Sequence, residues 1–348
     1  MDAYFTLVYM EACVNELSLF SFIAYMHRIQ THYPDVTQPI PTYSESGFFF
    51  NEEDQLRQQD NGSFHLLTAL NMATHQVDAR CAVFIDNELA ISPKLAPFGS
   101  VEFTSTLPDH TLTALLDSLE AEVDRLGLPA LRLTNYPHCY APEQAERLMR
   151  ALRRRQYRIV DQLTNFHLTI TDDQFSSHLH KSERRRLLKC QKADFKAGVW
   201  VDPPVKAVVQ FIQASRLQQG YPLTIAPDRL AYLLSTFPDQ YPVFVIRDGA
   251  TIAALTVAVR VRHDILYNFL PADDLAYRRY SPAVMLTASV YAYCQQEGIG
   301  LLDLGVSVDE HRLPKPSLMQ FKRNLGAQES PKMVWEKKVK RGGSRPSF

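Results

Sequence analysis

The chain has 348 residues, enough for two domains of ordinary size, and its 46% hydrophobic and 22% charged content suits globular domains with substantial cores. Its 37 basic and 38 acidic residues nearly cancel, which excludes a surface that attracts nucleic acid as a whole and leaves room only for a local basic patch. The aromatic content and modest Gly and Pro counts exclude disordered and collagen-like chains. No stretch approaches 18 uncharged apolar residues, so no membrane span is expected. The apolar start, Ala3 to Met10, lacks the basic flank of a signal peptide. The five scattered cysteines (13, 81, 139, 190 and 294) read as reduced thiols of a cytoplasmic protein.

In chain order, residues 1–28 read as two helices and 31–46 as a loop broken by Pro34, Pro39 and Pro41. Residues 63–71, 77–86 and 88–103 read as strands. A helix over 112–126 carries Leu112, Leu115, Leu116, Leu119 and Val123 on one face and ends at Gly127. A strand at 131–133, a helix at 143–155 and a strand at 157–170 follow. The second half repeats this order: a basic helix over 172–197, a strand at 199–201, helices at 205–219 and 228–237, and a strand meander at 243–247, 252–261 and 265–270. A helix at 282–297 ends at Gly298, and a strand at 301–304, a helix at 316–325 and a strand at 332–339 complete the chain. Gly127 and Gly298 each close a helix, 171 positions apart, and each precedes an apolar strand. This implies a duplicated α/β (α+β) domain, 1–171 and 172–348, each with a mixed, mainly antiparallel sheet flanked by helices.

The block Arg278-Arg279-Tyr280-Ser281-Pro282-Ala283 follows the meander and opens a helix. Unpaired N–H groups and the helix dipole suit such a place to a pyrophosphate. Ser281 reads as an N-cap and Pro282 as the first helical residue, and Arg278 and Arg279 add charge. Asp303 is costly in an otherwise apolar strand unless paired, so it is a site candidate. Tyr267 and Asn268 on the preceding strand, and Tyr291 as a general acid, are further candidates. His311 in the following loop, with Ser307 and Lys322, completes a substrate-binding set. Lys181, Arg184, Arg185, Arg186, Lys189, Lys192 and Lys196, with Arg153, Arg154 and Arg155 upstream, form a basic patch able to meet phosphates. No HExxH, P-loop or nucleophile-elbow motif is present, and no metal site is expected.

The 278–283 block resembles the pyrophosphate loop of the GNAT acyltransferase superfamily, with Ser281 in place of a glycine. The Leu301–Ser307 segment, with Phe321-Lys322 and Leu325-Gly326, resembles the end of the FemAB-like branch, and Ser92-Pro93 with Ala96-Pro97-Phe98-Gly99 resembles a loop of that branch. The resemblance implies tandem GNAT-like domains and transfer of an acyl group from acyl-CoA, most simply acetyl-CoA, to an amine. On this reading no cofactor is tightly bound, and Arg278, Arg279, Tyr280, Ser281 and Ala283 hold the donor. The C-terminal half binds the donor and catalyses. The N-terminal half, where Pro108-Asp109-His110 replaces the loop, is structural or binds the acceptor. The acceptor would be a small-molecule or peptidoglycan-type amine, with no DNA partner. Two alternatives stay open. One is an aminoacyl-tRNA-dependent, Fem-type peptidyltransferase acting on a cell-envelope precursor, with tRNA as partner. The other is a non-catalytic binding protein that keeps only the fold.

Overall fold

β-Branched and aromatic runs form the strands of both halves, and amphipathic helices cover them. The computed structural model describes residues 26–33, 40–59, 64–220, 225–309 and 311–339. The helices expected over 1–25, together with Cys13, Glu310 and the tail from 340, lie outside the described residues. Residues 27 and 28, expected at the end of a helix, instead begin a strand.

The chain divides into two units: Met1–Tyr136, Ala141–Asp161 and Met333–Phe348 in the first, and Pro137–Tyr140 with Gln162–Lys332 in the second. The first holds β1 (His27–His32), α1 (Glu53–Arg57), β2 (His65–Asn71), β3 (Val77–Asp86), β4 (Leu89–Ser92), β5 (Glu102–Phe103), α2 (Asp109–Arg125), β6 (Ala130–Thr134) and α3 (Pro142–Arg154). β7 (Arg158–Thr169) runs from the first unit into the second. There follow α4 (Phe175–His178), α5 (Lys181–Lys192), β8 (Lys196–Val199), α6 (Val205–Gln218), α7 (Pro227–Thr236), β9 (Val243–Asp248), β10 (Thr251–Arg262), β11 (Ile265–Asp273), α8 (Pro282–Gln296), β12 (Leu301–Val306) and α9 (Pro316–Asn324). β13 (Gln328–Lys338) begins in the second unit and returns to the first.

The two sheets repeat one plan. In the first, β2, β3 and β4 are antiparallel neighbours, α2 crosses over, and β6 lies parallel to β4 with Ala90 opposite Leu131. In the second, β9, β10 and β11 are antiparallel, α8 crosses over, and β12 lies parallel to β11 with Ile265 opposite Leu301. Both crossover helices end alike. Gly127 and Gly298 take left-handed φ of 69° and 67°, and the next N–H reaches back to Val123 O at 3.1 Å and to Cys294 O at 2.9 Å. The outer strands are exchanged between the repeats. β6 pairs with the end of β13 (Leu133 opposite Trp335), whereas β7, which follows α3, pairs with β12 (Leu168 opposite Leu302). The units are therefore not the sequential halves 1–171 and 172–348.

Leu112, Leu115, Leu116, Leu119 and Val123 of α2 are buried against Leu67, Val83, Leu131 and Trp335, each contributing on the order of 1.5–3 kcal/mol. In the second unit Val284, Val290 and Cys294 of α8 pack on Phe244, Leu266 and Leu302. The basic helix expected over 172–197 is broken into α4, α5 and β8. His180 takes extended dihedrals and caps α5, its Nδ1 accepting from Ser182 N at 3.3 Å, and Asp194 turns left-handed at φ 57°. The strand expected over 88–103 is interrupted after Ser92, whose Oγ accepts from Ser100 N at 2.9 Å across a tight loop.

A Cβ added to Gly99 would lie 2.7 Å from Ser92 Oγ and 2.8 Å from Pro93 N. Gly99→Ala therefore has to displace main chain, and a loss of about 1–3 kcal/mol is expected in urea denaturation.

Candidate active site

β12 reads Leu-Leu-Asp-Leu-Gly-Val, and its one carboxylate, Asp303, is 2% exposed. Three donors converge on it: Tyr140 OH at 2.5 Å, Asn165 Nδ2 at 2.7 Å and Gly305 N at 2.6 Å. These offset the cost of burying the charge. Tyr140 is itself positioned by its short 3₁₀ turn, where Cys139 N donates to Ser330 Oγ at 2.9 Å and Arg262 Nη2 donates to Tyr140 O at 3.0 Å. The Gly305 N–H reaches back because the β12–β7 ladder skips a residue between Asp303 and Gly305, and Gly305 adopts a φ of 71°. A Cβ there would meet the Tyr267 ring at 3.1 Å, so Tyr267 lies directly over the bulge.

Burial, then the Asp303 charge, pushes both the Tyr140 and Tyr267 phenols well above their ordinary range. Both are proton donors at neutral pH. His167 stands opposite Asp303 in the ladder; burial lowers its pKa against the pull of the carboxylate, and its Nδ1 is buried without a partner among the described residues. Two lysines complete the cluster. Lys322 Nζ donates to Gly305 O at 2.9 Å and Val306 O at 2.8 Å and lies 5.4 Å from the centre of the Phe166 ring. Burial pushes Lys322 and Lys332 down to about 8, with Asp303 opposing in both cases. Ser307 is buried, and its Oγ has no partner among the described residues.

The two central strands part at this cluster. β11 and β12 are paired from Ile265 opposite Leu301 only as far as Tyr267 opposite Asp303. Beyond that point β11 continues against β10 to Asp273, and β12 continues against β7 to Val306. The result is a wedge-shaped opening in mid-sheet, bordered by Asn268 and Phe269 on one side and Leu304 to Val306 on the other. On the β12 side the Gly305 N–H is held by Asp303 and the carbonyls of Gly305 and Val306 by Lys322 Nζ. Asn268 Oδ1 is already engaged by the Thr256 hydroxyl at 2.6 Å.

At the 278–283 turn, Asp274 Oδ1 accepts from Ala276 N at 2.9 Å, Arg278 is exposed, and Arg279, also exposed, lies over the Tyr280 ring with Nη2 donating to its OH at 3.0 Å. Ser281 is not the expected side-chain cap. It adopts φ 56° and ψ 59° and makes no capping hydrogen bond, a left-handed geometry that glycine adopts without strain. Pro282 is the first helical residue, and Ala283 is half-buried. α5 closes one side of the turn: Lys189 Nζ donates to Arg279 O at 2.6 Å, Cys190 Sγ donates to Tyr280 O at 3.2 Å, and Tyr280 packs edge-on against Phe195.

Tyr267, Asp303 and Lys322 thus come together, with Asn268 and Ser307 beside them along the same strands. Tyr291 does not join them. It is fully buried against Phe175, and its OH accepts from Thr171 N at 3.0 Å. His311 is exposed, with its backbone N–H held by Asp309 Oδ1 at 2.9 Å. Sequence reasoning missed Tyr140, Asn165, His167 and Lys332. Neither Asn165, in a strand that carries many other polar residues, nor Tyr140 carried a signal.

Asp303→Asn turns one accepting oxygen into a donor that faces other donors. A loss of about 3 kcal/mol is expected in urea denaturation at pH 7. For Lys332 the folded value, about 8, lies below its ordinary 10.5. The unfolded chain then binds more protons between those values. The penalty of burying this ammonium is full below pH 8 and fades as pH rises through the window. Lys332→Met should therefore stabilise the protein at pH 7 by roughly 1–3 kcal/mol, with little gain left above pH 10.5; equal gains at both pH values would disprove the burial penalty.

Residues 206–323, from α6 through α9, match the family described as the acetyltransferase (GNAT) domain. No curated protein matches the chain. Among solved structures, FemX aligns over 84% of this chain and 92% of its own, with a TM-score of 0.65 and 10% identity. The C-terminal domain of a putative lysylphosphatidylglycerol synthetase from Agrobacterium fabrum aligns over 84% and 88%, with a TM-score of 0.55 and 13% identity. L-PGS from Bacillus licheniformis aligns over 89% and 96%, with a TM-score of 0.52 and 10% identity. Identities this low speak for fold alone. The opened sheet and the helix that follows it thus lie in the segment that matches the GNAT acetyltransferase domain, and the chain's fold is similar to that of FemX.

Proposed function

We propose that the protein is an N-acyltransferase that moves an acyl group from acyl-CoA, most simply acetyl-CoA, to a primary amine. The observation that carries this reading is the parting of β11 and β12 beyond Tyr267 and Asp303. A thioester carbonyl placed in that opening meets main-chain donors on the unpaired edge of β11, the arrangement needed where negative charge develops on oxygen. The donor's pyrophosphate would lie at the 278–283 turn, contacted by Arg278, Arg279 and the first turn of α8. The amine attacks in its neutral form to make the C–N bond, the tetrahedral intermediate loses the amine's extra proton to solvent and collapses with cleavage of the C–S bond, and the departing thiolate takes a proton. Tyr267, protonated and beside the opening, is the candidate donor of that proton. Asp303 has its oxygens committed to three donors and acts as a positioning residue. Lys322 does the same through two main-chain carbonyls. Ser307 and His311 are the remaining candidates for contact with the acceptor. In this reading the first unit is structural or binds the acceptor.

A second reading, transfer from aminoacyl-tRNA, draws support from Lys181, Arg185 and Lys192 of α5, which are exposed and carry no acidic partner among the described residues.

Acetyl-CoA or a longer acyl-CoA should raise the melting temperature, and Arg278→Ala with Arg279→Ala should abolish the shift. Tyr267→Phe should lower kcat about 100-fold with little change in KM. No shift with any acyl-CoA, together with salt-sensitive binding of aminoacyl-tRNA, would replace the first reading by the second.

A further inference from the structure

In the first unit, α2 and α3 enclose a cavity of about 310 Å³ lined by Asp109, Leu112, Thr113, Arg147, Arg150, Ala151, Arg154 and Arg155. Four arginines therefore border a space of small-molecule size. Two of them are committed to the fold. Arg147 donates to Asp109 Oδ1 at 2.7 Å, to Ser105 O at 2.9 Å and to Leu107 O, and lies over the Phe103 ring. Arg155 donates to Glu120 Oε1 at 2.8 Å and to Asp117. The acidic residue at the start of α2, which in the sequence argued against an anion here, is thus neutralised by Arg147.

Arg150 and Arg154 are different. Both are exposed, and neither has an acidic partner among the described residues. They sit one turn apart on the same face of α3, with Cβ atoms about 5–6 Å apart. Two unbalanced guanidinium groups at that spacing can each grip one phosphoryl group of a diphosphate. α2 presents its N-terminus to the same cavity. Its first residue follows Pro108, and no side chain caps it, so its dipole adds to the attraction.

We propose that this cavity binds a small phosphate ester, specifically an organic diphosphate, through Arg150 and Arg154, at a site separate from the donor turn of the second unit. The chemistry is shared by a nucleoside diphosphate and by an isoprenoid diphosphate, and the test separates them. The full chain is titrated calorimetrically with sodium pyrophosphate, with ADP and with geranyl diphosphate. Saturable binding of pyrophosphate at one equivalent is expected, weakening as KCl rises. Arg150→Gln with Arg154→Gln should weaken it at least about tenfold. The melting temperature without ligand should stay unchanged, since neither side chain makes a side-chain hydrogen bond or ion pair among the described residues. Arg278→Ala with Arg279→Ala should leave it intact. Tighter binding of ADP, lost in the Arg150/Arg154 variant, assigns a nucleoside diphosphate; tighter binding of geranyl diphosphate, lost in the same variant, assigns an isoprenoid diphosphate. Absence of saturable pyrophosphate binding, or binding that survives the Arg150/Arg154 change, overturns the proposal. Binding lost only in the Arg278/Arg279 variant also overturns it and returns the anion to the donor turn.

Discussion

The second unit is organised around one carboxylate that cannot be left unsolvated. Asp303 sits in the middle of an apolar strand, and water does not reach it. Each donor that compensates it has a structural consequence. The Gly305 N–H bends β12 into a bulge, Asn165 ties β7 to the same point, and Tyr140 brings in a turn from far away in sequence. The bulge sits where β12 stops following β11, and the carbonyls it exposes are held by the Lys322 ammonium. The opening between the strands and the ring of Tyr267 beside it thus gather at this one carboxylate, whose charge opposes the burial that lowers the neighbouring lysines.

The charged groups of the two units are handled differently. In the second unit the buried lysines are desolvated and lowered toward neutral pH, while Asp303 is fully compensated. In the first unit burial is compensated by pairing. Arg80 is buried between Glu102 and Glu52, and Glu102 also accepts from Phe48 N and Asn51 Nδ2. Such a saturated network fixes a loop but leaves little capacity for a ligand. The four arginines bordering the cavity between α2 and α3 combine both patterns, two tied down and two unmatched.

The repeat was legible because it rests on local chemistry. Glycines after α2 and α8 mark left-handed helix ends, and the leucine spacing of α2 marks a buried face. Asp303 was legible because a carboxylate in an apolar strand is costly wherever it lies. Its partners were not: Asn165 and Tyr140 reach it across 138 and 163 positions, and nothing in their neighbourhoods points there. The break in the 172–197 helix turned on His180 and Asp194, whose dihedrals depart from helix without a proline or glycine to announce it. Ser281 misled in the same way, because an N-cap and a left-handed turn residue can be the same amino acid. Which neighbours β7 and β13 would take was beyond local pattern, since neither strand carries a clean apolar alternation that sets its pairing.

That exchange bears on synthesis as well as on architecture. A ribosome delivers β6 about two hundred residues before the segment that will border it, and β7 waits for β12 in the same manner. Until β13 emerges, the first sheet carries an open, hydrogen-bonding rim that invites mispairing with other nascent chains. A chain severed at residue 171 would lack both β12 and β13 and would keep that rim for good.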